Sequence, residues 1–370
     1  MKKLKVGVLG ATGMVGQNYI RLLENHPWFD VVYIAASANS AGMKYADAVS
    51  GRWQMMTSIP KKVAGLMVED VANIEKAVRA CDFVFSAFEM PDKKLIKETE
   101  EAYATAGIPV VSNASANRWT KDVPMLIPEI NSDHLEIIKI QQKNHGWNQG
   151  KRQGFIVVKP NCSLQSYITP IYALEKAGYP VKKITITTMQ AVSGAGYPGV
   201  ASLDMIDNIV PFIDGEEEKT EQEPLKILGE IKNEKFVNKK GLEISATCTR
   251  VPVSDGHTAS INILFQKDSK HKKPTKEQII KIWQEFKSIP QDLNLPFAPV
   301  QPIIYRDEDN RPQPKKDRDA DKGMSVTIGR LRDCAIFDYK FITLSHNTVR
   351  GAAGGGILNA ELLVKKGFIK

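Results

Sequence analysis

Along the first third of the chain, short apolar runs alternate with amphipathic stretches. Leu4 to Leu9 is an apolar run of strand length, Gly10 to Gly16 a glycine-rich turn, and Gln17 to Asn25 a helix with Tyr19, Ile20, Leu22 and Leu23 available for packing. A second apolar run covers Val31 to Ala36, and the alternation continues through Ile74 to Arg79, Phe83 to Phe85, Leu95 to Ala106 and Val110-Val111. Strands alternating with helices predict a mainly parallel sheet covered by helices on both faces. From Lys139 to Gly154 the chain turns polar and reads as a surface loop or helix extension, with a domain boundary close by, before the apolar run Phe155 to Val158. Lys183 to Met189, Leu242 to Pro252 and Thr258 to Phe265 then carry β-branched, alternating runs, which predict a more antiparallel sheet with one packed and one wetter face. Val349 to Lys366, rich in Ala, Gly and Leu, reads as a helix packed closely through small residues, back against the first domain.

Composition narrows the class. A length of 370 residues, 42% hydrophobic and 25% charged, is enough for two domains with cores of their own. Charged or polar residues interrupt every apolar run well short of the roughly 18 residues a membrane span needs, and the basic start leads directly into the glycine motif, so a mature cytoplasmic protein is expected. Cys81, Cys162, Cys248 and Cys334 are scattered, without CxxC or metal-like spacing, so neither a disulfide framework nor a metal site is expected. Cys81 and Cys334 are expected in the core, and Cys248 behind the chemical site. The net charge of +8 gathers at Lys267 to Lys276 and Lys315 to Lys322 without interleaved aromatics, which reads as solvated loops rather than a nucleic-acid surface. A mild positive field favours anionic substrates.

Gly10-Ala11-Thr12-Gly13-Met14-Val15-Gly16 follows a strand and opens a helix, the context in which a GxxGxxG pattern binds a dinucleotide. Gly10 permits the tight turn, Gly13 the close approach of a pyrophosphate, and the helix N-terminus holds the anion. An NAD site usually carries Asp or Glu at the end of the second strand, whereas Ala35 to Lys44 here contains none. Ser37, Asn39 and Ser40 can donate to phosphate oxygens and Lys44 adds charge, so NADP is favoured and NAD is the second reading. A serine-rich turn capping the next helix is the structural alternative.

Phe155 to Ile168 runs strand, turn, helix, and places Cys162 in the first turn of a helix with Leu164, Ile168 and Ile171 as its apolar face. The helix dipole and free N–H groups there favour a thiolate and suit an oxyanion. The partner best placed to exchange a proton with it is His257, at a Ser-Asp-Gly bend with Arg250 on the incoming strand, while His26, His134, His145 and His271 read as structural. Arg118 follows the strand Val110-Val111, where loops of a parallel sheet gather around a ligand, and offers a planar fork to carboxylate or phosphate. Glu223 and Lys226 fall one helical turn apart, for which a solvated ion pair is the default.

Taken together, GATGMVG, SNASANRW, PNCS, QAVSGAGYPG, EPLK, TRVPVSDGH and HNTVRGAAGGG resemble, in order and over nearly the whole chain, the aspartate-semialdehyde dehydrogenase family in its archaeal and fungal branch. The resemblance implies an α/β fold: an N-terminal Rossmann NADP-binding domain (1–160, completed by a C-terminal helix within 347–370) joined to an α+β catalytic and dimerisation domain (161–346), assembled as a homodimer or homotetramer. The implied reaction interconverts L-4-aspartyl phosphate and L-aspartate 4-semialdehyde plus phosphate, with Cys162 as nucleophile and His257 as acid/base partner. Asn161 and Gln190 would orient the acyl group, Arg250 would pair with the α-carboxylate, Glu223 would face the ammonium, and Arg118 and Lys226 would bind phosphate. Gly10, Thr12, Gly13, Met14, Val15, Gly16, Ser37, Asn39 and Ser40 would hold the cofactor, with Ser86 and Ala87 near its ribose and Ser193, Gly194 and Asn347 near the nicotinamide. The chain departs from many relatives at Asn39 and Met43, where they carry Arg and Lys, which weakens the 2′-phosphate clamp. Malonyl-CoA reductase, which also runs through a cysteine thioester, and a catalytically silent dinucleotide sensor are the competing readings. Asn-Ala-Ser ahead of Arg118, Asn161 next to Cys162 and Arg-Val-Pro-Val ahead of His257 favour the aspartyl enzyme over the first, and the joint presence of Cys162, His257, Arg118 and Arg250 argues against the second.

Overall fold

Six apolar runs pair side by side as the first sheet: β1 (Leu4–Leu9), β2 (Phe29–Ala36), β3 (Val68–Asp70), β4 (Phe83–Ser86), β5 (Val110–Ser112) and β6 (Ile156–Val158), in the order β3-β2-β1-β4-β5-β6 and parallel throughout. The computed structural model describes residues 2–150, 152–267 and 273–370. His271 and part of the Lys267 to Lys276 cluster therefore lie outside the described residues. Nearly every residue of β1, β4, β5 and β6 is buried, as both faces of a parallel sheet must be. The strand order reverses between β1 and β4, which opens a crevice at the carboxyl ends.

The helix after β1 spans Met14–Leu22, three residues ahead of the expected start at Gln17, because Gly13 is extended (φ −80°, ψ 168°) and the chain turns helical immediately after it. Gly10 has φ +78°, and a Cβ there would lie 2.5 Å from Phe88 N; a Cβ on Gly16 would strike the Gly10 carbonyl. The polar stretch from Lys139 begins as a helix extension and ends as turns: Ile137–His145 is α-helical, Gly146 closes it in the left-handed region, and Gln141 Nε2 donates to Asp122 O and Ile156 O at 2.8 and 3.0 Å.

The remaining strands are β7 (Val181–Gln190), a hairpin of β8 (Glu230–Lys232) and β9 (Lys235–Val237), then β10 (Glu243–Arg250), β11 (His257–Phe265), β12 (Ile303–Arg306), β13 (Val326–Asp333) and β14 (Tyr339–Ser345). The second sheet runs β10-β7-β11-β14-β13-β12. Its centre is antiparallel as expected, but both edges pair parallel, β10 on β7 and β12 on β13, so the sheet is mixed. The reason at the first edge is a crossover: helix Glu216–Ile227 lies between β7 and β10 and packs on β10, returning the chain in the same direction. One face buries Ile184, Ile186, Ala259, Ile261, Ile263 and Phe341, while Thr185, Thr187, Ser260 and Lys340 point to the wetter one.

The last segment returns to the first sheet. A π turn, Val349–Ala353, leads into helix Gly354–Lys365, which packs on helix Met14–Leu22 so closely that a Cβ on Gly356 would strike the Tyr19 hydroxyl. Arg350 secures the junction: Nη1 donates to Glu129 Oε1 and Met324 O, each at 2.8 Å, and Nη2 donates to Thr169 Oγ1 at 2.9 Å. Cys81 and Cys248 are buried; Cys334 is not, because it sits half-exposed in the turn between β13 and β14, where Phe337 N donates to its sulfur at 3.4 Å. Among the described residues, no helix is long and apolar enough to cross a membrane.

Candidate active site

Loops at the carboxyl ends of β1, β2, β4, β5 and β6 meet those after β7 and β14 around a cleft of about 510 Å³. On the nucleotide side, Gly10, Thr12, Gly13, Met14 and Val15 line it together with Ser37 and Ala87. The first-turn N–H groups of helix Met14–Leu22 have no side-chain cap, and a Cβ on Gly13 would meet only the Gly10 carbonyl, at 3.5 Å, so the backbone there is open to a ligand. Gly16 serves helix packing instead. Asn39 is exposed, and Ser40 is buried with its hydroxyl accepting from Arg52 Nη2 at 3.1 Å, a cation the sequence reading did not single out. The Ser86 side chain points away from the cleft and donates to the buried Glu100 Oε1 at 2.6 Å.

On the chemical side, Lys159-Pro160-Asn161 leads from β6 to Cys162, which precedes a short 3-10 turn, Ser163–Ser166, and then helix Ile168–Lys176. Leu164, Ile168 and Ile171 are buried as expected. Asn161 fixes the approach: its N–H donates to Glu223 Oε2 at 2.6 Å, its Nδ2 to Glu216 Oε1 at 2.9 Å, and its Oδ1 accepts from Ser163 N and Oγ, both at 2.8 Å. Gly351 of the π turn presses on Cys162, where a Cβ would lie 2.9 Å from the Cys162 Cβ. His257, the first residue of β11, is buried, with Nε2 3.4 Å from Cys162 Sγ and Nδ1 accepting from Ala191 N at 3.0 Å.

The expected thiolate is not the resting form. Burial pushes the Cys162 thiol up to about 11 and Glu216 adds to the rise, against the pull of Lys159, Arg118 and Arg250. Loss of hydration outweighs what a four-residue turn can offer an anion. His257 is driven down to about 3, first by burial and then by Arg250 and His346. The resting pair is therefore a neutral thiol against a neutral imidazole. Beneath it, the fully buried Lys159 is lowered to about 7 by burial, and its Nζ donates to Pro160 O at 3.1 Å.

Arg118 lines the cleft, and its Nη1 donates to Glu223 Oε1 at 2.8 Å and its Nε to Lys159 O at 3.1 Å. The solvated pair expected between Glu223 and Lys226 does not form. Both side chains are buried because this face of helix Glu216–Ile227 packs against the loops after β5 and β6; Lys226 Nζ donates to Arg118 O and Val123 O at 2.6 and 3.0 Å and lies 4.7 Å from the centre of the Phe236 ring. The residues of that helix that reach the cleft are Glu216 and Lys219, 2.8 Å apart, which the sequence reading missed because Glu216-Glu217-Glu218 reads as an ordinary acidic first turn. Burial would raise the Glu216 carboxyl, yet Lys219, Gln190 and Asn161 hold it below its usual value. Gln190 lies buried behind it, with Nε2 donating to Glu216 Oε2 at 3.1 Å. Arg250 Nη1 donates to Ala191 O at 2.7 Å and backs Gly194, where a Cβ would lie 2.8 Å from it. Ser193, Gly194 and Asn347 line the cleft, and Asn347 joins two loops by accepting from Gly256 N and donating to Ser193 Oγ, both at 2.8 Å.

A dinucleotide-type crevice that runs continuously onto a cysteine lining the cleft with a buried histidine behind it defines an oxidoreductase class in which sulfur carries the substrate. Two family models match: the semialdehyde dehydrogenase NAD binding domain over residues 5–138 and the semialdehyde dehydrogenase dimerisation domain over 171–350. The aspartate-semialdehyde dehydrogenase of Schizosaccharomyces pombe is 43% identical over 372 residues, covering 99% of each chain, and that of Archaeoglobus fulgidus is 44% identical over 367 residues, covering 99% of this chain and 100% of the relative. The crystal structure of aspartate semialdehyde dehydrogenase with NADP from Candida albicans matches at a TM-score of 0.89 and 39% identity, over 100% of both chains. The chain belongs to the semialdehyde dehydrogenase family, with aspartate-semialdehyde dehydrogenases of archaea and fungi as its relatives.

Proposed function

We propose that this chain interconverts L-4-aspartyl phosphate and L-aspartate 4-semialdehyde plus phosphate, with NADP as cofactor and Cys162 as the nucleophile that carries the acyl group as a thioester. The observation that carries this reading is the Cys162 Sγ to His257 Nε2 contact of 3.4 Å at the floor of the cleft that the glycine turn also lines. The full-length relatives named for this activity support it over malonyl-CoA reduction and over a silent sensor.

The donor set fits a phosphorylated dinucleotide: an open Gly13 backbone, Ser37 at the cleft, no carboxylate at the end of β2, and Arg52 behind Ser40. When bound, NADPH supplies the hydride that reduces the thioester to the aldehyde. Asn347, Ser193 and Gly194 would flank its nicotinamide end. Arg118 and Lys219 would take the substrate phosphate and Glu216 its ammonium, while Glu223 and Lys226 would hold Arg118 in place from behind. Arg250 would read the α-carboxylate through the gap at Gly194, and Asn161 and Gln190 would hold Glu216 in position. Acyl phosphate is a good leaving group, and the thioester is easier to reduce than a carboxylate, so one hard step becomes two feasible ones.

Residues 1–160 with 347–370 would form the cofactor-binding domain and 161–346 the catalytic and dimerisation domain. The chain would work in the cytoplasm as a homodimer or homotetramer, a reading supported by the dimerisation-domain match and by four free cysteines. The test is a side-by-side assay of the purified protein. Aspartate semialdehyde with NADP and phosphate should be oxidised, and Cys162→Ala should abolish turnover while NADP still binds. Faster turnover of malonyl-CoA with NADPH, or NADP binding without any turnover, would refute the reading.

A further inference from the structure

In a crevice of this kind the end of the second strand meets the 2′ position of the adenosine ribose. The turn that follows β2, Ser37 to Ser40, carries no cation of its own, and Asn39 within it is exposed. A cation nonetheless stands beside it, delivered by the loop after the short helix Tyr45–Ala48. Arg52 Nη2 donates to Ser40 Oγ at 3.1 Å, and its Nε donates to Ala48 O at 2.9 Å, which fixes the plane of the guanidinium. Among the described residues no carboxylate lies within ion-pair distance of Arg52, so a half-buried positive charge is left unanswered at the turn. The Ser40 hydroxyl accepts from Arg52 and keeps its own hydrogen to donate. Among the described residues, nothing accepts from Ala38 N or Asn39 N either. A ribose hydroxyl is normally held by a carboxylate acceptor, whereas every free group here is a donor, the set that a phosphate needs. The loop is also held in place. Gln17, buried on helix Met14–Leu22, donates through Nε2 to Thr12 O and Arg52 O, both at 3.0 Å, and accepts from Gln54 N at 2.8 Å. One side chain therefore ties the arginine loop to the glycine turn.

We propose that Arg52 is the residue by which this chain selects NADP over NAD, its guanidinium pairing with the 2′-phosphate beside the Ser40 hydroxyl. This rests on the NADP reading of the cleft given above. The selection is differential. A 2′-phosphate brings negative charge to an unpaired guanidinium and a cluster of donors, while the 2′-hydroxyl of NAD brings no charge and finds no carboxylate to accept from it. Arg52 therefore acts on one cofactor and is indifferent to the other. Gln17 is a positioning residue for it: by holding both the Thr12 carbonyl and the Arg52 carbonyl, it sets the span between the helix N-terminus that faces the pyrophosphate and the cation at the far end of the cofactor. Sequence spacing hides the arrangement, because Arg52 follows Ser40 by twelve residues and only the turn of helix Tyr45–Ala48, whose Tyr45 hydroxyl donates to Ala11 O at 2.9 Å, brings it back.

The experiment titrates the full-length protein with NADPH and with NADH, follows nicotinamide fluorescence, and takes the ratio of the two dissociation constants. Arg52→Ala should weaken NADPH binding by ~10–100-fold, the loss of a charge-assisted contact, and change NADH binding by no more than about twofold. Unchanged NADPH affinity would overturn the proposal. So would equal weakening of both cofactors, which is what a loop that only packs would give. Arg52→Gln keeps an amide N–H to donate toward Ser40 and removes the charge, so it carries the test if the alanine variant fails to fold. It should lose about tenfold or more in NADPH affinity, and a ratio like that of the parent would count against Arg52. A larger shift of the ratio in Lys44→Ala than in Arg52→Ala would assign the selection to the other cation and overturn the proposal. Adenosine 2′,5′-bisphosphate probes the phosphate without the nicotinamide: it should displace NADPH from the parent about tenfold better than ADP and lose that advantage in Arg52→Ala. Equal displacement by the two in the parent would overturn it as well. Binding is read without the aspartyl substrate, so absence of turnover with aspartate semialdehyde would count against the catalytic reading and leave this measurement standing.

Discussion

Arg118, in the loop after β5, and Glu223, two turns into helix Glu216–Ile227, form a buried ion pair with Nη1 2.8 Å from Oε1. The same carboxylate accepts from Asn161 N through its other oxygen, so one side chain joins the phosphate-side loop to the peptide just ahead of Cys162.

Removing Glu223 would leave Arg118 charged and uncompensated in the interior. Glu223→Ala should lower the unfolding free energy by about 3–5 kcal/mol, and replacing both partners with apolar residues should recover much of that loss. Denaturant titration of the single and double variants checks this. A single variant as stable as the parent would mean that water or another side chain reaches Arg118.

Cysteine alkylation should follow an order opposite to the functional one. Burial holds the Cys162 thiol at about 11, whereas the half-exposed Cys334 is lowered by the backbone N–H groups of Phe337 and Ile336. Without substrate at neutral pH, iodoacetamide should modify Cys334 first, and the Cys162 rate should climb with pH toward about 11, as mapped by mass spectrometry. Rapid labelling of Cys162 at pH 7 would contradict this.

Stability should carry a signature of Lys159. Its amine is lowered by burial to about 7, against 10.5 for an ordinary lysine, so between those values the unfolded chain binds one more proton than the folded one. Stability contributed by this group then rises with pH across that window, on the order of 1.4 kcal/mol per pH unit at most, and is flat below it. Lys159→Met should remove this rise. The comparison is between denaturation free energies of the two proteins from pH 6 to pH 10.

The glycine turn separates packing from binding. Gly16→Ala forces a Cβ into the Gly10 carbonyl and should lower Tm markedly. Gly13→Ala meets only that carbonyl at 3.5 Å and should keep Tm while weakening NADP binding, because the methyl projects over the open backbone. Calorimetry and a fluorescence titration with NADPH read the two effects separately.

The first sheet, the cleft at its carboxyl ends and the pairing of Cys162 with His257 were legible because period-2 and period-3.6 patterns, glycine spacing and strand-turn-helix context are local signals. The division of labour on helix Glu216–Ile227 was not. Glu216, Lys219, Glu223 and Lys226 share one face at spacings of three and seven, and only the tilt of the helix across the β6 loop decides that the first two meet the cleft while the last two sit behind Arg118. The state of Cys162 was misread for a related reason: the turn after it is local, but the depth at which the whole chain encloses the sulfur is not. Likewise, the parallel edges of the second sheet depend on where crossovers land, which alternation alone does not encode.

Helix Gly354–Lys365 fills a space against Tyr19 that no earlier part of the chain occupies. A chain cut ahead of Gly354 would therefore leave helix Met14–Leu22 without its cover, although every strand of the first sheet would still be present. The domain that opens the chain thus owes its closure to a segment lying beyond the entire second sheet in sequence, a long-range contact of the kind that slows folding.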